Sequence, residues 1–220
     1  MIHLHSVTKS IQSKGRPPRL MFRPTSIPFP TDRRVAILGG RAQGKTLLLK
    51  MLAGLEDPDT GEIIVPLSLS PIANSRLLFH PLFTVEEGIR VIARITGIDA
   101  DWLAAGITQL IKEEGLLEKH VSALNGLQRQ ELEIAALSIL PFDCYLLDDA
   151  HQLSTSLLER YLDAAERRGA GTIFTTILPR QARLYADYAV VVDDCTIRAF
   201  NQVEEAVESY ERKAIERKNG

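Results

Sequence analysis

Four short apolar runs without period-2 alternation punctuate the chain: Val35-Ala36-Ile37-Leu38, Cys144-Tyr145-Leu146-Leu147, Ile173-Phe174-Thr175 and Ala189-Val190-Val191-Val192. Such runs suit strands buried on both faces of a largely parallel sheet. The opening residues, Met1-Ile2-His3-Leu4-His5, alternate instead, as a strand with one covered face does. Between these strands lie helical patterns. Leu47, Leu48, Met51 and Leu52 follow Gly44 at helical spacing, and Gly54 can take the left-handed conformation that ends a helix. A Pro58-Asp59-Thr60-Gly61 turn leads into Ile63-Ile64-Val65. Thr84-Val85-Glu86-Glu87 offers a capping box to a helix carrying Ile89, Ile92 and Ile95. From there to about residue 140 the pattern is helical. Near the end, Val203, Val207, Tyr210 and Ala214 share a helical face, and Glu208 stands four residues before Arg212. The charges of this last helix are expected to form a solvated face.

This alternation predicts an α/β fold: a mainly parallel sheet, an antiparallel β portion at the N-terminus and an inserted helical subdomain. The core spans about 1–78 and 136–201, the helical subdomain about 79–135 and a C-terminal helix about 202–217. A length of 220 residues allows one core of this kind and excludes two domains of ordinary size. With 25% charged residues and a net charge of −2, the chain has no basic footprint for nucleic acid or acidic lipid, and no nucleic-acid partner is expected. No apolar run is long enough to span a bilayer and the N-terminus lacks a signal-peptide core, so a cytoplasmic protein is expected. The two cysteines, Cys144 and Cys195, lie far apart in apolar or strand-like surroundings, which predicts reduced structural thiols.

Gly39-Gly40-Arg41-Ala42-Gln43-Gly44-Lys45-Thr46 fits G-x-x-x-x-G-K-[ST] at every fixed position, directly after a predicted buried strand and at the start of a helix. The pattern has a physical reason. Glycines let the backbone curl so that successive N–H groups face phosphate oxygens, and the helix N-terminus adds partial positive charge. Lys45 adds a full charge, the Thr46 hydroxyl can ligate Mg²⁺, and Leu47 completes the cradle. These features predict a P-loop NTPase (RecA-like) core, with ATP as its expected ligand. The metal's water shell also needs a carboxylate from the end of a neighbouring buried strand. Asp148 follows Cys144-Tyr145-Leu146-Leu147 and is placed to supply it, while Asp149 is placed to orient or deprotonate an attacking water.

With these residues the chain resembles the ATPases of ABC transporters over nearly its whole length. Leu52-Ala53-Gly54 with Gly61-Glu62-Ile63, and residues 124–137, look like the segment after the P-loop and the signature helix. Two stretches, Phe142-Asp143-Cys144-Tyr145-Leu146-Leu147-Asp148 and Ile89-Arg90-Val91-Ile92-Ala93-Arg94-Ile95-Thr96-Gly97, look like capsular-polysaccharide exporters in particular. The resemblance implies two such domains packed head to tail around ATP and Mg²⁺. It also implies an integral-membrane permease docked near the helical insertion, and a place on the inner face of the bacterial plasma membrane.

The chain also departs from the family pattern. The L-S-G-G-Q signature stands here as Leu124-Asn125-Gly126-Leu127-Gln128, and Leu127 is expected to crowd the approach to a facing γ-phosphate. His80 takes the position of the glutamine that helps hold Mg²⁺, and Ile177 that of the histidine that contacts the γ-phosphate. Asp149 stands for a glutamate, and Gln152-Leu153-Ser154-Thr155 lacks an expected aspartate. Ile11 occupies the place of an aromatic residue that stacks on adenine, and His151, near the acidic pair, is the candidate replacement for the missing imidazole. Losing one donor to the transferring phosphoryl can cost roughly 10²–10³ in rate. Two readings follow: a subunit that binds Mg-ATP and hydrolyses it slowly or with help from a partner, as homodimer or heterodimer, or a non-catalytic ATP-binding module of such a complex. A P-loop kinase or nucleic-acid motor would need an acceptor site or a basic groove, and neither is visible.

Overall fold

The computed structural model describes residues 1–12, 15, 17–74 and 78–219, with the backbone alone for 217–219. In chain order the elements are β1 (Ile2–Ile11), β2 (Arg19–Phe29), β3 (Arg34–Leu38), α1 (Lys45–Leu52), β4 (Thr60–Ile64), β5 (Leu69–Ala73), α2 (Val85–Thr96), α3 (Ala100–Ile111), α4 (Gly126–Ile139), β6 (Cys144–Leu147), α5 (Thr155–Glu166), β7 (Gly171–Thr176), α6 (Pro179–Tyr185), β8 (Tyr188–Asp193), β9 (Thr196–Phe200) and α7 (Val203–Asn219). Contacts divide the chain into two compact units, one formed by Met1–Ile72, Phe142–Gln152 and Ala165–Gly220, the other by Ala73–Pro141 and Leu153–Ala164.

The first unit holds two sheets. Its six-stranded sheet has the order β5-β6-β7-β3-β8-β9, with β6, β7, β3 and β8 mutually parallel and β9 antiparallel to β8. Every residue of β6, β7 and β8 is buried, which is why their apolar runs lack alternation. The smaller sheet, β2-β1-β4, is antiparallel, and in β1 Ile2 and Leu4 are buried while His5 is exposed. Pro24 and Pro28 lie in β2, a strand at the sheet edge, where proline is tolerated. Helix α1 ties the sheets together: Leu48, Leu49, Met51 and Leu52 share one cluster with Ile2, Leu4 and Phe22 and with Val35, Ile37 and Ile173. Truncating one of these buried leucines to alanine would cost about 2–5 kcal/mol.

Helix α7 packs Ala206, with Val203 and Tyr210 beside it, against Ala189 and Val191 of β8. Its polar side is less free than the sequence pattern predicts. Glu204 and Glu211 both pair with Arg183 of α6, and Lys213 pairs with Asp193 and Asp194 at the end of β8. These partners lie 19 to 28 residues away in sequence, so helical spacing alone does not reveal them.

In the second unit, Thr84 caps α2 in a complete capping box with Glu87, and Gly97 ends the helix at φ +73°. Asp99 caps α3 through the Trp102 amide. The buried stripe of α2 is Val85, Gly88, Ile89, Ile92 and Ala93. Ile95, expected beside Ile89 and Ile92, is 80% exposed. The stripe follows the spacing i, i+3, i+4, i+7, i+8, and Ile95 falls outside it.

Candidate functional site

The P-loop leaves the carboxyl end of β3, the edge where open α/β sheets gather their ligands. Its two critical glycines have separate reasons. A Cβ on Gly39 would lie 2.6 Å from the Val192 carbonyl oxygen, and Gly44 adopts φ +97° against Met21 and Phe22 as α1 begins. Ala42 also takes a left-handed conformation, φ +59°, without glycine's freedom. Arg41 and Gln43 complete the turn, Leu47 follows in the first turn of α1, and the Lys45 ammonium donates to the Gly40 carbonyl at 2.9 Å. Burial pushes the Lys45 pKa below the ordinary lysine range, a pull opposed by the charges of Asp149 and Asp148.

At the end of β6, one carboxylate oxygen of Asp148 accepts from the Thr46 hydroxyl at 3.1 Å and from the Thr175 hydroxyl at 2.6 Å. The Asp149 amide donates to Thr175 Oγ1 at 2.8 Å, and its backbone turns into the left-handed region at φ +46°. The Asp149 carboxylate receives Gln152 Nε2 at 2.9 Å, and His151 Nδ1 stands 3.8 Å from its other oxygen. Lys45, Thr46, Asp148 and Asp149 are thus brought together by three strand ends. Beside them opens a cavity of about 370 Å³, bounded in part by Gly44, Lys45 and Thr46. A hydroxyl, a carboxylate and an ammonium at its edge fit a magnesium-bound triphosphate, since Mg²⁺ takes one or two protein oxygens and completes its shell with phosphate oxygens and water.

Three polar residues that the sequence patterns did not single out organise this edge. Thr175 links the two aspartates; Thr176 donates to Gln181 Oε1 at 2.6 Å, and Gln181 Nε2 donates to the Ala150 carbonyl at 3.4 Å. Two hydroxyls at the end of a wholly buried strand were the available signal, because buried polar groups need partners. Ile177 follows them half-buried.

In the second unit, His80 is exposed, accepts from the Leu82 amide at 3.3 Å and lies 5.2 Å from the Phe83 ring. Leu124-Asn125-Gly126-Leu127-Gln128 forms the start of α4. Asn125 caps the helix by accepting from the Gln128 amide at 2.9 Å, and Gln128 answers by accepting from the Asn125 amide at 3.0 Å. Arg129 fastens the segment from behind, to the Leu124 and Ser122 carbonyls, while Leu127 stands 54% exposed.

A parallel sheet with a glycine turn, an ammonium and a paired hydroxyl and carboxylate at its carboxyl edge defines a P-loop nucleotide-binding protein. Residues 22–152 match the family described as ABC transporter, and the chain belongs to that family. It is 26% identical over 196 residues to the capsule polysaccharide export ATP-binding protein CtrD of Neisseria meningitidis serogroup B, covering 87% of this chain and 90% of that protein. It is 25% identical over 181 residues to the ATP-binding protein BexA of Haemophilus influenzae, covering 80% and 83%. Among solved structures, a dimeric post-hydrolysis form of the ATP-binding cassette MJ0796 bound to ADP and Pi matches with a TM-score of 0.76 at 19% identity, covering 91% of this chain and 98% of that one. A structure of an ATP-binding subunit of an ABC transporter matches with a TM-score of 0.73 at 15% identity, covering 95% and 94%. ABC ATPases bind nucleotide, generally with Mg²⁺, and typically dimerise and pair with a membrane permease. No helix among the described residues is long and apolar enough to cross a membrane.

Proposed function

We propose that this chain is the ATP-binding subunit of an exporter of capsular or related polysaccharide, working as a dimer on the cytoplasmic face of the plasma membrane against an integral-membrane permease. Lys45, Thr46 and Asp148 hold Mg-ATP, the backbone from Gly39 to Leu47 cradles its phosphates, and Asp149 faces the attacking water. The observation that carries the binding reading is the Thr46 to Asp148 contact of 3.1 Å beside the buried Lys45. The export reading rests on the two capsule-type relatives, which this chain matches over most of their length. Bound Mg²⁺ would neutralise charge on the phosphates; the protein's share is to orient them and to hold the water.

Hydrolysis is slow in this reading. Asn125, Leu127, His80 and Ile177 stand where the family carries groups that close the site or touch the γ-phosphate, whereas every fixed position of the P-loop is present. The test is Mg-ATP affinity and turnover of the purified chain beside its Lys45→Ala variant. Binding that falls at least tenfold in the variant, with low turnover in both, is expected. Affinity indifferent to Lys45→Ala would overturn the phosphate cradle, and Lys45-dependent turnover at ordinary transporter rates would overturn slow hydrolysis.

A further inference from the structure

Beyond its phosphate edge, the cavity wall is formed by Ile11, Arg19, Met21, Lys50 and Glu56. No aromatic ring lines it among the described residues. Ile11 and Arg19 are direct partners across the β1–β2 ladder, at the end of that hairpin where one strand leads into the next. Among the described residues no hydrogen bond or ion pair engages the Arg19 guanidinium, and the nearby carboxylate of Glu56 is already held by Lys9 at 2.7 Å. Among the described residues, the wall therefore presents one free planar cation beside two apolar side chains, Ile11 and Met21.

We propose that Arg19 is the stacking residue for the purine base. This rests on the reading of the P-loop as an ATP site and extends it from the phosphates to the base. A flat heterocycle needs a flat partner. A guanidinium is planar, delocalised and weakly hydrated, so it lies well on an aromatic face, while the polarisable thioether of Met21 and the branched edge of Ile11 supply apolar contact. The apolar neighbours favour a base over a phosphate at this place, since an anion set against Ile11 and Met21 would lose water without gaining donors. A stack of this kind reads the ring face and not its hydrogen-bonding edge, so the site selects a ring-bearing triphosphate over a bare one.

Lys50 is four residues beyond Thr46 on α1 and adds a second cation to the same wall. Arg19 and Lys50 acting together on phosphate is the competing arrangement, and ligand choice separates the two. Calorimetry of the full chain with Mg-ATP and with Mg-tripolyphosphate, which lacks base and ribose, is run on the wild type, Arg19→Ala, Arg19→Lys and Lys45→Ala. Arg19→Ala is expected to weaken Mg-ATP about tenfold, as loss of one base stack does, and to leave tripolyphosphate within twofold. Arg19→Lys keeps the charge and loses the plane, so it should follow the alanine variant. Equal loss of both ligands in Arg19→Ala, full ATP affinity in Arg19→Ala, or full affinity in Arg19→Lys would each overturn the assignment. Undiminished tripolyphosphate binding also reports that a variant is folded. A wild type that binds neither ligand, or a Lys45→Ala variant that binds both normally, would overturn the P-loop reading and the base site with it.

Discussion

The Thr175 hydroxyl donates at 2.6 Å to the same Asp148 oxygen that receives Thr46, and accepts the Asp149 amide at 2.8 Å. One side chain thus fixes both acidic residues through its single proton and its lone pairs. Thr175→Val keeps the shape and removes the hydroxyl. It should cost about 1–3 kcal/mol in urea denaturation, because the Asp149 amide loses its acceptor. It should also reduce the difference in ATP affinity measured with Mg²⁺ and with EDTA, since Asp148 is no longer aimed. Thr175→Ser should behave like the wild type. Unchanged stability and Mg²⁺ dependence in the valine variant would show that Asp148 is held by other means.

Ala42 sits at φ +59° within the P-loop and its side chain is exposed. For a residue with a Cβ the left-handed region costs roughly 1–2 kcal/mol, while glycine adds about 0.4–1 kcal/mol of unfolded-state entropy. Ala42→Gly should therefore stabilise the protein by roughly 0.5–1 kcal/mol, read as a rise in Tm of about 1–4 °C. A fall in Tm would mean that the methyl group makes a contact worth more than the strain it causes.

The parts of the molecule legible from sequence were those with local causes. The strands at 35–38 and 144–147 announced themselves because both faces are buried, and the P-loop because its glycines answer to backbone geometry within a few residues. Strand β2 did not: Pro24 and Pro28 argue against a strand until its place at a sheet edge is known. The apolar pattern makes Thr175 only the end of a strand, and its partners lie 26 and 27 residues away. Arg19 likewise gains its meaning from a cavity assembled by three separate segments. The legible features report what each segment is made of; the site's second layer reports where segments meet.

Ile177 offers no hydrogen-bonding group directly after the Thr176 hydroxyl, where the family resemblance places a histidine. If that loss limits hydrolysis, Ile177→His should raise Lys45-dependent ATP turnover about tenfold or more, within the range attributed to single donors at developing charge. Asp149→Asn in the same background should abolish the gain while leaving ATP binding intact, because the amide still presents an oxygen to Gln152. A variant with no gain would show that the loss at Ile177 does not limit hydrolysis.

Cys144 is fully buried in β6, and burial pushes its thiol pKa up to about 12 from an ordinary value of 9.0. At pH 9 an ordinary thiol is half ionised, whereas Cys144 carries a thiolate in about one molecule in a thousand, so it should resist a thiolate-directed reagent. Native protein should label at Cys195 alone, and protein in guanidinium chloride at both. The same shift has a stability consequence. The unfolded state releases this proton near pH 9 while the folded state keeps it, so the stability difference between wild type and Cys144→Ala should shrink by about 1 kcal/mol between pH 9 and 10. Burial also raises the pKa values of Tyr145, Tyr188 and Tyr210, which costs stability in the upper part of the same window, but both proteins carry these tyrosines and the effect cancels in the difference. Rapid native labelling of Cys144 would instead mean that β6, the strand that carries Asp148, opens locally without global unfolding.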